Sequence, residues 1–396
     1  MRDLGAEAQP AQVYEVLAEK LSLSGEVRDH SVQTKAGSTR TFDRNVRWAR
    51  QRAVLAGYIS GATRNLWALT EDGDTVLRNA RPGVVVTVFE TDQGTALFCE
   101  SQTGMGLVEE GLVNCIFTSP PYLLQKKKEY ASQFASAEHV EWLFERAKEW
   151  KRVLASDGSL FLNLGPAWTP GLPTTDIYEK RLLIRLIDEL GLHLAQEILW
   201  NNPAKLPAPA QWVCIDRVRL KPSIETVLWM SKTPHPKADN RRCLVPYSDS
   251  MRALLARGGE RGAVRPSGYK LEPGAFSHDA GGAIASNLIT IPNTGSRGPY
   301  HTWCEARNLP KHPARFPAGL VEFAMKLTTD EGDVCLDDFG GSLQFAEVCE
   351  RAGRRWISMD KSLTYLEGGL GRFQDVPSLR THVDFAVPAP ATDLFA

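Results

Sequence analysis

Val113-Asn114-Cys115-Ile116-Phe117-Thr118-Ser119-Pro120-Pro121-Tyr122 decides the reading of this chain. Residues 113–118 have the apolar pattern of a buried strand, and the run stops at two successive prolines. Proline fixes φ and lacks an N–H, so Pro120 and Pro121 end the strand and leave carbonyls free to accept hydrogen bonds. In a doubly wound sheet, ligands bind at the carboxyl ends of the strands. Thr118 to Tyr122 therefore read as a pocket for a planar ring that carries an amino group. Ser119 and the Pro120 carbonyl would accept from the amine, and Tyr122 would stack on the ring, as enzymes acting on an extruded base require. The alternative is a Pro-Pro turn after a strand.

Outward from this segment, strand and helix patterns alternate. Strands are expected at 84–89, 96–100, 159–164, 197–200, 226–231, 334–339 and 356–360, and helices at 138–154, 178–190 and 345–352. Such alternation implies a mostly parallel sheet covered on both faces, a doubly wound α/β architecture. It fails between Thr233 and Lys311, where Gly, Pro, Asn and Arg accumulate, so about 233–311 reads as a loop-rich insert. Arg81-Pro82-Gly83 is a plausible break, giving an N-terminal domain 1–82 and a second domain 83–396.

The N-terminal piece has its own plan. Residues 11–23 read as an amphipathic helix with Val13, Leu17 and Leu21 on one face. Residues 42–58 read as a second helix, with Val46, Ala49, Ala53 and Val54 on one side and Arg44, Arg47, Arg50 and Arg52 on the other. Residues 66–70 alternate like a short strand before the Asp72-Gly73 turn. Helices followed by a short hairpin, with a basic helix between, match a winged helix. The alternative is a small helical cap with a solvated charged face.

A second chemical signal is Asp337-Asp338-Phe339-Gly340-Gly341-Ser342, between a strand and a helix. Glycines there let the backbone approach a ligand closely. No Lys follows them, so this is not a P-loop. The next strand ends in Asp360, where an acid is placed for ribose hydroxyls. The pair suggests an adenosine-containing cofactor held without a phosphate grip, which fits S-adenosylmethionine.

Net charge is −1, so composition alone does not announce a nucleic-acid partner; a local basic patch still could. No apolar run reaches membrane-span length, and the N-terminus lacks the plan of a signal peptide. The seven cysteines are scattered, with no pair at zinc or redox spacing, and read as reduced thiols of a cytoplasmic protein. No metal site is expected.

Together these motifs resemble the β class of DNA amino-methyltransferases from restriction–modification systems. In that class the catalytic motif precedes the cofactor motif and a target-recognition region lies between them, which is the permuted order here. The resemblance covers 84–373. It includes Leu124-Gln125-Lys126-Lys127-Lys128-Glu129-Tyr130, Lys205-Leu206-Pro207 and His312-Pro313-Ala314-Arg315-Phe316-Pro317. Serine at 119, where aspartate or asparagine is the alternative, resembles the cytosine-N4 branch. The resemblance implies that Ser119, Pro120, Pro121 and Tyr122 hold the target base. It implies that Glu100, Thr118, Asp337, Phe339, Gly340, Gly341, Ser342 and Asp360 line the S-adenosyl-L-methionine site, with His312 to Phe316 at its methionine end. The family's usual acid at the earlier strand end is Asp, and Glu100 stands there; Leu343-Gln344 replace the small residues that usually follow the glycine turn.

The chemistry needs neither a metal nor a covalent nucleophile, because a sulfonium already activates its methyl group. It needs the amine placed in line and its lone pair localised. Cytosine-C5 transfer would need a thiolate, and the nearest cysteine, Cys115, lies inside the strand. Double-stranded DNA is the expected partner, through Arg47, Lys126, Lys127 and the insert's Arg241, Arg242, Arg252 and Arg265. A companion endonuclease, and a monomer or homodimer, are the expected setting. An adenine-N6 enzyme of the same class and a non-catalytic DNA-binding regulator are the competing readings.

Overall fold

The computed structural model describes Leu4 and residues 7–34, 37–55, 57–60, 65–73, 78–123, 135–295 and 297–383. Near the N-terminus, α1 (Pro10–Lys20), α2 (Gly25–Asp29) and α3 (Thr41–Leu55) pack beside a three-stranded antiparallel sheet. In that sheet Trp67–Leu69 lies between Glu7–Ala8 and Ile59–Ser60. Three helices and a closing antiparallel pair are elements that the winged-helix expectation called for, and a further hairpin (Ser31–Thr34 and Gly37–Arg40) precedes α3. Its core is small: Ala8, Val13, Tyr14 and Trp67 are the buried residues. Guanidinium groups cover the aromatic rings instead, with Arg28 5.2 Å from the Phe42 ring centre and Arg50 5.8 Å from that of Trp67. Arg50 therefore turns inward and Ala49 outward, against the expectation for these two positions, while Val46, Ala53 and Val54 are half-buried and Arg44, Arg47 and Arg52 exposed as expected.

The main sheet has ten strands. They are β1 Val86–Glu90, β2 Gly94–Phe98, β3 Val113–Thr118, β4 Leu154–Leu164, β5 His193–Asn201, β6 Ile224–Ser231, β7 Leu288–Thr290, β8 Val334–Asp337, β9 Arg355–Asp360 and β10 Arg380–Thr381. Their spatial order is β7-β5-β6-β4-β3-β8-β9-β2-β1-β10. From β4 to β2 every neighbour is parallel, while β6 and β1 run against the rest.

Alternating side chains explain the two covered faces. Cys115 and Phe117 enter a core with α9 (Ala318–Thr328) and α10 (Gln344–Arg351). Ile116, Leu160 and Leu162 enter the other, against α4 (Ser101–Met105), α5 (Ser136–Val153) and α6 (Tyr178–Asp188). Cys115 and Phe117 on one side of β3 and Ile116 on the other are completely buried, so a polar substitution at any of them would strand a polar group.

Chain order builds the site. After β3 the chain moves outward to the β7 edge, then returns and inserts β8 directly beside β3. The Ser119 motif and the glycine turn, far apart in sequence, thus leave the same rim from adjacent strands. The stretch 233–311 is not wholly irregular. It carries α7 (Asp249–Ala256), the edge strand β7 and α8 (Pro299–Ala306). The segment before the expected break at 81–83 is itself docked on that rim. Ala80 donates its N–H to the Lys361 carbonyl at 2.7 Å, and Arg78 accepts from Leu363 N at 2.9 Å. No helix among the described residues is long and apolar enough to cross a membrane.

Candidate active site

One cleft of about 1440 Å³ opens at the carboxyl rim of the sheet. Its walls include Glu100, Ser119, Pro120, Pro121, Tyr122, His312, Phe316, Phe339, Gly340, Gly341, Ser342 and Asp360, which bring both motifs into one space. Thr118 and Asp337 lie just behind the wall, completely buried. The Thr118 hydroxyl sits 2.9 Å from carboxyl oxygens of both Asp337 and Asp338 and so ties the end of β3 to the end of β8.

In the base half, Ser119 Oγ donates to the Tyr122 hydroxyl at 3.1 Å, and Tyr122 donates to Glu225 Oε2 at 2.7 Å. Asn163 Nδ2 adds a 2.8 Å bond to the same hydroxyl, and Lys205 pairs with Glu225 Oε1 at 2.8 Å. Burial and the Glu225 carboxylate hold the Tyr122 phenol well above its ordinary range, so it stays protonated. With its proton committed to Tyr122, Ser119 Oγ keeps acceptor lone pairs. One side of the Tyr122 ring packs on Gly165, where a Cβ would stand 2.4 Å from two ring carbons.

The cofactor half is built around two acids and a turn. Asp360 accepts from Gly341 N at 2.8 Å and Ser362 N at 2.7 Å, which fixes the turn after β8 against the end of β9. A Cβ at Gly340 would meet Ser358 Oγ at 2.2 Å, so only glycine lets the turn pass this close. Gly341 has φ +50°, and the His312 ring covers the spot its Cβ would take, at 3.1 Å. Burial raises the Asp360 carboxyl and the nearby imidazole of His312 pulls it back; burial lowers His312 itself. Burial pushes Asp337 up to about 8, with Phe339 N and Thr118 pulling down and Asp338 adding to the rise. Asp338 accepts from Ser101 Oγ at 2.5 Å and Trp150 Nε1 at 3.0 Å.

Several groups here escaped sequence reading. Asn163 and Glu225 complete the base half, and Ser101, Trp142 and Arg146 the cofactor half, beside Asp338 of the quoted glycine motif, which has no role of its own in the sequence reading. Lys126 and Lys127 lie outside the described residues. Arg241 and Arg242 do not reach the cleft. Arg242 bonds Asp330 at 2.8 Å beside Lys237, which bonds Asp333 just ahead of β8, so this cluster sits at the amino end of the sheet. That is a strand's length, roughly 13 Å, from the rim that holds the site. Arg241 is spent on Asp239 at 2.8 Å. Arg252 and Arg265 are exposed and face acids of the insert itself, Asp249 and Glu260. Arg47 is exposed on α3, 6.0 Å from the Tyr14 ring centre. Among the described residues no cluster of His, Cys, Asp or Glu is arranged to hold a metal ion.

A doubly wound sheet whose rim joins an amine-accepting pocket to a glycine-and-acid pocket defines the class: a methyltransferase that acts on a base. The chain belongs to the DNA methylase family, whose model matches residues 113–370. Residues 1–79 match a second family, the Mrr N-terminal domain. The chain is 38% identical over 289 residues to the type II methyltransferase M.PvuII of Proteus hauseri, across 72% of this chain and 85% of that protein. The solved structure of the PvuII DNA methyltransferase (cytosine-N4-specific) superposes with a TM-score of 0.59 at 34% identity, across 72% of this chain and 88% of the other. The DNA adenine methyltransferase YhdJ of Escherichia coli is 22% identical, across 75% of this chain and 88% of its own length.

Proposed function

We propose that this chain transfers a methyl group from S-adenosylmethionine to N4 of a cytosine in double-stranded DNA. The setting this reading implies is the cytoplasmic modification half of a restriction–modification pair, acting as a monomer or homodimer. The observation that carries it is the Ser119–Tyr122–Glu225 hydrogen-bond chain, which leaves Ser119 an acceptor at the cleft wall. The similarity to a cytosine-N4-specific enzyme across most of the chain assigns the amine.

The cofactor half fits S-adenosylmethionine. Asp360 retains free lone pairs for ribose hydroxyls, and the Gly340-Gly341 turn presents no side chain to it. Among the described residues the buried Arg146 Nε, at the wall of this half of the cleft, has no hydrogen-bond partner. When bound, the cofactor supplies an electrophilic methyl group. Ser119 Oγ and the Pro120 carbonyl accept the two N–H bonds of the target amine, turning its lone pair out of the ring. The Ser119 hydroxyl, the Tyr122 phenol and the Glu225 carboxylate then give the shed proton a path away from the nitrogen. The face of Tyr122 opposite Gly165 is the surface on which an extruded cytosine stacks.

The adenine-N6 reading shares this pocket logic, and the adenine-specific relative keeps it in view. A non-catalytic regulator would have no use for an intact Ser119 network. Modified-base sequencing of genomic DNA from cells expressing the protein or its Ser119→Ala variant tests the proposal. N4-methylcytosine at one short sequence, absent with the variant, supports it; unmodified cytosine in both refutes it.

A further inference from the structure

Two loops rise from the rim beside the base pocket, and apart from Lys205, which pairs with Glu225, neither has been given a role above. The larger, 203–222, is closed at its base by Asn202 N donating to the Ser223 carbonyl at 2.8 Å. Asn202 and Lys205 at its foot line the cleft. The smaller holds the ribbon Ala167–Trp168 and Thr175–Asp176. Trp168 packs on Trp212 with ring centres 5.3 Å apart, and Arg219 donates to the Pro173 carbonyl at 2.7 Å, so the loops form one ridge.

The ridge has an unusual surface. Leu206 is 79% exposed, Ile215 67% and Leu220 90%, where a solvated loop would carry polar side chains. Cations alternate with the apolar residues in Arg217-Val218-Arg219-Leu220-Lys221. Among the described residues no carboxylate pairs with Arg217, Arg219 or Lys221; their bonds go to backbone carbonyls. A second copy of the chain is a poor occupant, because a two-fold contact would set these cations against themselves. A phosphate backbone matches them, and the space left in a base stack matches bare leucines. Leu206 directly follows Lys205, whose ammonium bonds Glu225 in the base pocket and whose side chain lines the cleft, so its Cα lies about 3.8 Å from that of a cleft residue.

We propose that this ridge is the element that opens the DNA: Leu206 and Leu220 enter the stack as the target base leaves it, while Arg217 and Lys221 hold the flanking phosphates. The inference rests on the methyl-transfer reading above. It makes extrusion the step the ridge accelerates, separately from binding and chemistry.

The test compares wild type, Leu206→Ala/Leu220→Ala and Arg217→Gln/Lys221→Gln on duplexes bearing the mapped site. In one duplex the target cytosine pairs with guanine; in the other it faces an abasic position, which removes most of the cost of extrusion. The leucine variant should lose about tenfold or more in kcat/KM on the paired duplex. On the abasic duplex it should return to within about threefold of wild type, with cofactor affinity unchanged throughout. The cation variant should bind both duplexes more weakly, with a salt slope shallower by about two. Equal losses on both duplexes, no loss on either, or a change in oligomeric mass with DNA affinity intact would overturn the inference. A wild-type protein that transfers no methyl to cytosine would instead defeat the underlying reading.

Discussion

Replacing Gly165 by Ala isolates the placement of Tyr122. Gly165 does not have a left-handed φ, so alanine is acceptable to its backbone. Its Cβ, however, would stand 2.4 Å from both Cδ2 and Cε2 of Tyr122. Carbon atoms settle at about 3.5–4.0 Å, so the ring must retreat by more than about 1 Å. The phenol is held by bonds of 2.7 Å to Glu225 and 2.8 Å to Asn163, and neither survives such a shift. Ser119 then loses the partner that commits its proton. Misplacement on this scale costs on the order of 100-fold in rate. The assay is single-turnover methyl transfer at saturating cofactor, with calorimetry for cofactor affinity and a thermal midpoint for folding. A rate within about threefold of wild type, in a folded variant, would refute the role given to the Tyr122 network.

Asp360→Ala should weaken cofactor binding by about tenfold or more, since it removes an acceptor and frees the Gly341 turn; calorimetry showing an unchanged dissociation constant would make Asp360 structural. Asp337 has its carboxyl raised from the ordinary 3.8 to about 8. The unfolded chain therefore loses this proton first, and stability falls as pH rises through that window. Asp337→Asn mimics the neutral acid and should lack that decline, so its thermal midpoint should gain on wild type from pH 5 to pH 9; parallel profiles would contradict this. Removing residues 1–77 keeps the docked Arg78–Ala80 segment and should leave cofactor affinity intact while DNA affinity and its salt slope fall. Full DNA affinity across salt concentrations would show that the N-terminal piece does not bind DNA.

How much of this was legible follows from what each residue depends on. β3, β8 and β9 could be read because each is an apolar run ending in a chemical residue: Ser119, the Asp337 turn and Asp360. α9 was not read, because Leu320, Val321, Ala324, Met325, Leu327 and Thr328 are all buried and leave little polar periodicity. Glu225 sits one residue ahead of the strand expected at 226–231, though β6 in fact takes it in as its second residue, and in sequence it looks like an ordinary strand edge. Its meaning comes from Tyr122 and Asn163, which only the sheet order brings near. The insert's charges were visible, but their place was not. Asp330, which claims Arg242, follows α9 far along the chain, and that pairing moves the cluster to the wrong end of the sheet for DNA at the cleft.

The central claim is the identity of the methylated atom. Purified protein, duplex DNA and methyl-labelled S-adenosylmethionine, followed by nucleoside mass spectrometry, reads it directly. Label in N4-methylcytosine is the predicted result. Label in N6-methyladenine would keep the pocket chemistry but move the substrate, and label in 5-methylcytosine would contradict the mechanism, because no thiolate faces the cleft among the described residues.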